Sequence, residues 1–310
     1  MPAKIALAIG GCFNTLMDQL QIVKELCSLS PRQGENEIEA AKYIEQKLSA
    51  ITSKIQVQKF ATRVPIISNS HLKLDDHYID CLGCSFETGN ITTKDQVVFS
   101  PHSDYISTPN FYQRPTVSIS RNDSQKLKSA KQIDGRVVVK KYSYVSRNFL
   151  VGNLENPKTV IFTHYDSLGG GAIDNAGGVV VCLNLLSENK DLIHDNLFVF
   201  AGNEELSYDL PDYWGYGYRQ FEKYYFSVLR HAKQIIVVDG VGLTAPEAPT
   251  SDLDSFLPLR YLKNFKSKVK VISSNQQQVL KCYHCKEDTS DKLSLEYLNQ
   301  SQNFISQMLE

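Results

Sequence analysis

Residues 162–178 read FTHYDSLGGGAIDNAGG, and the architecture of the chain is decided by how this stretch is understood. It holds His164, Asp166 and Asp174 within eleven positions, among glycines and other small residues. A tight turn needs the glycines but not the His164–Asp166 pair. A phosphate cradle needs them too, but two carboxylates would repel the anion. Upstream, TVIFTHYD (159–166) is apolar until its polar end, and downstream GAIDNAGGVVVCLNLLSE (171–188) turns into a helix. Strand, glycine-rich turn and helix form the unit of an open α/β sheet, in which ligands bind beyond the carboxyl ends of the strands.

The same order recurs further along. NLFVFAGNEE (196–205) is an apolar strand ending in Glu204 and Glu205, YGYRQFEKYYFSVLRHA (216–232) is a helix, and QIIVVDGVG (234–242) is a strand ending in Asp239. Apolar strands separated by helices predict a parallel sheet covered on both faces. Three strand ends then deliver His164 with Asp166, Glu204 with Glu205, and Asp239, with Asp174 on the same rim. Taken singly, a His-x-Asp is usually a surface pair and adjacent glutamates a solvated helix start. Their shared placement makes them a site.

Carboxylates gathered on one rim raise one another's pKa values unless something neutralises them. A divalent cation does so directly, and carboxylate mixed with imidazole suits zinc, with cobalt or manganese able to take the same donors. His164 and Asp166 lie two apart in a strand and point the same way, so one can ligate while the other orients it. The glycines at 169–171 let the backbone fold tightly around Asp174.

Outward from this centre, residues 15–31 show helical apolar spacing (Leu16, Leu20, Ile22, Val23, Leu26). A second helix follows the Gly34 turn, with Ile38, Ala41, Tyr43, Ile44 and Leu48 on one face. KIQVQKF (54–60) alternates as a strand. From 62 to 147 short strand-like runs (DQVVFS, PTVSISR, GRVVVKKYS) are broken by Asn, Pro, Ser and Asp, with helical spacing only near 123–130. This texture predicts a small β-rich lobe inserted at 62–147 into a catalytic domain made of 1–61 and 148–310.

Composition narrows the partners. The chain has 310 residues and a net charge of −1 without a block of one sign, so neither nucleic acid nor a membrane surface is expected to bind it. No apolar run approaches the roughly 20 residues of a membrane span. In the opening MPAKIALAIGGCFN, the apolar stretch Ile5–Ile9 is shorter than the roughly 7–15 residues of a signal core, so a cytoplasmic protein is expected. The cysteines include two C-x-x-C pairs, Cys81/Cys84 and Cys282/Cys285, too far apart for a zinc finger, and buried free thiols are expected instead. Homo-oligomerisation stays open.

The chain resembles the co-catalytic di-zinc exopeptidases, a family that includes bacterial aminopeptidases, glutamate carboxypeptidases and, more distantly, glutaminyl cyclases. The resemblance rests on HYDS (164–167), GAIDNAGG (171–178), NEE (203–205), VVDGVG (237–242) and YHCKEDTSDKL (283–293), which occur in the family's order. It implies an α/β fold of three layers, α/β/α, around a central, mostly parallel mixed sheet of the zinc-peptidase type. PTVSISRNDSQKL loosely resembles the protease-associated lobe of some members. In SDLDSF (251–256) Leu253 stands where the family usually has a histidine, a departure that touches the substrate pocket rather than the metal set.

By this resemblance one zinc would be held by His164, Asp174 and Asp239, and a second by Asp174, Glu205 and His284, with Asp174 as the bridge. Glu204 would be the general base toward a zinc-activated bridging water, Asp166 the partner of His164, and Tyr283 a stabiliser of the developing oxyanion. The implied activity is removal of the amino-terminal residue from peptides. A carboxypeptidase, a cyclase-like relative and a non-catalytic scaffold are the alternatives. A carboxypeptidase needs a basic group for the substrate carboxylate, for which Arg219 is a candidate. The aromatic loop Ser207–Tyr218 is expected to wall the pocket for the first side chain.

Overall fold

The computed structural model describes residues 18–309. Leu16 and the short apolar stretch at Ile5–Ile9 lie outside the described residues. In chain order the strands are β1 (Ile55–Leu74), β2 (His77–Ile79), β3 (Leu82–Gly83), β4 (Gly89–Ile91), β5 (Val97–Val98), β6 (Val117–Ser118), β7 (Ile133–Gly152), β8 (Thr159–His164), β9 (Asn196–Ala201), β10 (Gln234–Val238) and β11 (Val269–Ile272).

The main sheet has the order β11-β10-β8-β9-β7-β1-β2, with β4 added along β7. β11, β10, β8 and β9 run parallel, whereas β7 is antiparallel to β9 and β1 antiparallel to β7. Every residue of β8 and β9 is buried, which is why both strands are apolar throughout. Helices Gln19–Cys27, Glu35–Ile51, Gly177–Glu188 and Leu295–Leu309 cover one face, through Ile22, Leu26, Ile44, Leu48, Val181 and Ile305 among others. Helix Tyr216–His231 covers the opposite face through Tyr218, Phe221, Val228 and Leu229. Each large apolar side chain fully withdrawn from water contributes about 1.5–3 kcal/mol. The fold is therefore the expected three-layer mixed α/β. Among the described residues no helix is long and apolar enough to cross a membrane.

The strands flanking the β-rich segment are much longer than local sequence suggests. β1 and β7 each run 20 residues and pair almost along their whole length, with a bulge at Ile67/Asn69. β1 is buried on one side only and carries Pro65 inside the strand. Proline fits there because β2 covers the outer side of β1 only at Leu72–Leu74, so the missing N–H costs no ladder bond. Within 62–147 a second, three-stranded sheet (β3-β6-β5) and helix Ser124–Ser129 enclose a separate apolar cluster that includes Leu72, Ile91, Val117 and Leu127.

Candidate metal centre

Three adjacent parallel strands, β10, β8 and β9, end side by side, and their carboxyl ends carry the predicted acids. His164 is the last residue of β8, Asp239 follows β10 directly, and Glu204 and Glu205 follow β9 by three and four residues. Asp174 lies in the irregular turn between β8 and helix Gly177–Glu188, with non-helical φ/ψ of −120°/85°. His284 arrives from the loop before the last helix.

These side chains converge. His164 Nε2 is 3.2 Å from Asp174 Oδ1 and 3.6 Å from Asp239 Oδ1. His284 Nε2 is 2.8 Å from Glu205 Oε2 and 3.5 Å from Asp174 Oδ2. Asp174 thus turns one oxygen to each histidine. On the far side of each ring, Nδ1 meets a main-chain carbonyl: Asp166 O for His164 at 3.2 Å and Thr108 O for His284 at 3.1 Å. A carbonyl can only accept, so each Nδ1 carries a proton, and Nε2 is the nitrogen turned toward the carboxylates.

Asp166 does more than face His164. Its carboxylate lies 3.5 Å from His164 Nδ1 and also accepts the main-chain N–H groups of Glu204 (3.0 Å) and Glu205 (2.9 Å), and the Gln33 amide (3.2 Å). Asp288, which follows the Tyr283–His284 pair, does the same for the other side, accepting Ile173 N–H at 2.7 Å and Asp174 N–H at 3.1 Å. The glycines of the opening motif allow this. A Cβ on Gly169 would lie 2.3 Å from Cys285 O, and one on Gly170 2.2 Å from Asp288 O, so the glycine run exists to let the His284 loop come close. Gln33 and the Thr108 carbonyl are absent from the sequence-based site. Gln33 sits in a turn without periodic pattern, and a backbone carbonyl has no signature in a sequence.

Electrostatics follow from burial. Burial, with Glu205, Asp166 and Asp239 nearby, holds the Glu204 carboxyl well above its usual range, against the pull of His164. Burial and Asp174 push Glu205 up to about 7, partly offset by His284. Burial depresses His284, but Glu205 and Asp174 outweigh it and raise the imidazole to about 9.

A cavity of about 290 Å³ opens over the centre. Glu204, Glu205, Asp174 and Asp239 line it beside both histidines, Tyr283, Tyr213, Trp214 and Phe256, and no lysine or arginine is among its lining residues. Tyr283 stacks on the His284 ring, with centroids 3.5 Å apart. Burial, followed by the charges of Glu205, Asp174 and Glu204, keeps its phenol protonated. Of the aromatic loop, Tyr213 and Trp214 reach the cavity, whereas Tyr208 packs on Phe86 with centroids 5.0 Å apart. Arg219 is buried and points away, donating to the carbonyls of Asp209, Asp212 and Trp214. Leu253 packs into the core below, in the short helix Leu253–Phe256 whose Phe256 reaches the cavity.

The architecture has solved counterparts. The aminopeptidase from Aneurinibacillus sp. strain AM-1 is 17% identical and superposes with a TM-score of 0.60 over 93% of this chain and 92% of that one. A zinc aminopeptidase from Bacillus subtilis is 16% identical, with a TM-score of 0.66 over 93% and 92% of the two chains. This is the zinc-exopeptidase fold. The same fold extends to the glutaminyl cyclase of an Acidobacteriales bacterium, 13% identical, with a TM-score of 0.52 over 99% and 98%. The sequence matches no protein-family model and no curated protein.

On this zinc-exopeptidase fold the donor set fits a cation. One atom each of His164, Asp174 and Glu205 lies within 4.8 Å of the others, all buried, and Glu205 Oε1 is a buried carboxylate oxygen without a hydrogen-bond partner. An unpaired buried carboxylate oxygen is costly without a positive charge to face it. The residues present therefore suit zinc.

Proposed function

We propose that this protein is a zinc-dependent exopeptidase that removes the amino-terminal residue of peptides. One observation supports the choice of terminus: no lysine or arginine lines the cavity over the metal centre. A carboxy-terminal carboxylate therefore finds no lysine or arginine to pair with, whereas a free amino terminus meets Glu204, the carboxylate outside both proposed ligand sets. Arg219, the basic group a carboxypeptidase could have used, is spent on loop carbonyls and does not line this cavity.

His164, Asp174 and Asp239 would hold one zinc, and Asp174, Glu205 and His284 the other. Divalent cations bound there supply charge that polarises a carbonyl and acidifies water. The residues do the rest. Glu204, its carboxyl raised by burial, takes a proton from the attacking water and passes it to the departing amine. Tyr283, a neutral phenol on the cavity wall, donates to the carbonyl oxygen as negative charge develops on it. Asp166 holds the Glu204–Glu205 main chain so that the base and the ligand keep their spacing. Tyr213 and Trp214 wall the space for the first side chain.

Zinc analysis of the purified protein, with hydrolysis of an aminoacyl-anilide compared with an amino-blocked peptide, tests the reading. Zinc uptake with cleavage of the free-amine substrate alone is expected. Equal cleavage of the blocked peptide would remove the amino-terminal assignment, and absence of zinc would remove the metal chemistry.

A further inference from the structure

His284 occupies an awkward place for a ligand. Its backbone lies at φ 51°, in the left-handed region that non-glycine residues seldom enter. A residue held there needs its surroundings to fix it. The fixing contacts come from the β-rich segment 62–147. Ser107 and Cys285 form an antiparallel bridge, and Thr108 N–H donates to His284 O at 3.2 Å. Ser107 Oγ donates to Tyr283 O at 2.6 Å, and Ser103 Oγ to Lys281 O at 2.7 Å. Thr108 O accepts a hydrogen bond from His284 Nδ1–H, with N···O at 3.1 Å. Ser103 and Ser107 are each 1% exposed, so these hydroxyls are interior clamps. Behind them Ser118 of β6 donates to Ser107 O, tying the clamp to the small sheet. Beyond Thr108, Pro109 and Asn110 line the cavity, and Asn110 accepts from Tyr213 OH at 3.2 Å.

We propose that the inserted segment Ser103–Asn110 is a working part of the metal centre: its Thr108 carbonyl fixes the His284 ring with Nε2 as the ligating atom, so zinc affinity at the His284 position depends on the insert being docked. The proposal rests on the reading of His284 as a ligand. A histidine bound to metal is oriented by whatever accepts its other N–H, and loss of such outer contacts weakens metal binding by about 10–100-fold. Here that acceptor lies 176 positions away in the chain, outside the strands that carry the other ligands. Ser107, Thr108 and Ser103 are positioning residues.

Zinc binding to the metal-stripped full chain, measured against a chelating indicator, tests this. The double variant Ser103→Ala/Ser107→Ala should lose affinity for one of two zincs by about 10–100-fold and keep the other. Arg114→Ala, which breaks an exposed pair with Asp95 elsewhere in the insert, should bind both as the parent does. Two zincs held at parental affinity by the double variant would overturn the coupling while leaving the metal centre standing. A parent chain that takes up no zinc would remove both. Nitrogen NMR of histidine-labelled, zinc-loaded parent protein gives a second readout that needs no folded variant. It should show His284 protonated at Nδ1 and metal-bound at Nε2, and the reverse assignment would overturn the proposal.

Discussion

Asp166 and Glu204 are joined by a bond that runs from side chain to main chain: Asp166 Oδ1 accepts the Glu204 N–H at 3.0 Å, and its other oxygen accepts the neighbouring Glu205 N–H at 2.9 Å. One carboxylate thereby fixes the backbone of the proposed base and of a proposed ligand at once. The end of β8 and the turn after β9 become a single rigid unit.

Replacing Asp166 by Asn turns an amide NH₂ toward one of those N–H groups and leaves a buried donor unpaired, at about 1–3 kcal/mol. Asp166→Asn should lower the melting temperature and reduce kcat more than it raises KM. Thermal melts with steady-state kinetics check this, and a pure KM effect would contradict the positioning role.

Glu204 lines the cavity but belongs to neither proposed ligand set. Glu204→Gln should retain full zinc content while hydrolysis falls by about 10²–10⁴-fold, the usual contribution of a positioned acid–base group. Metal analysis and turnover on the same preparation decide it. Near-normal turnover would discard Glu204 as the base.

Asp174 faces both histidines, 3.2 Å from His164 and 3.5 Å from His284. Asp174→Asn should therefore weaken both zincs together, whereas Asp239→Asn should weaken mainly one. Stoichiometry after dialysis against a mild chelator separates the two patterns.

Arg219 holds the aromatic loop by donating to three of its carbonyls, from Asp209, Asp212 and Trp214. Lysine keeps the charge but lacks the planar fork. Arg219→Lys should loosen the loop and raise KM for aminoacyl substrates with bulky first residues, and Trp214→Ala should flatten the preference among first residues. A panel of aminoacyl-anilides reads both effects. Unchanged preference in Trp214→Ala would take that ring out of the pocket wall.

Much of this protein was legible in one dimension. β8 and β9 are buried at every position, so their apolar runs announce them, and the glycines around Asp174 mark where two loops must touch. The acids and the histidine at strand ends are legible because a parallel sheet aligns those ends by construction. His284 is not at a strand end, and only the resemblance of its segment pointed to it. β1 and β7 look shorter in sequence than they are, because a half-exposed strand carrying Pro65 resembles a broken loop locally.

The sequence by itself therefore determined the layered α/β architecture and the gathering of His164, Glu204, Glu205 and Asp239 at strand ends, both of which follow from local periodicity and residue chemistry. Only the tertiary structure decided which atoms orient them. Asp166 grips the backbone beyond β9 with its carboxylate and meets His164 chiefly through its main-chain carbonyl. Arg219 is turned away from the cavity, and the Thr108 carbonyl holds the ring of His284. Such choices depend on main-chain hydrogen bonds between distant segments, and the main chain is the part of a protein that its sequence does not vary.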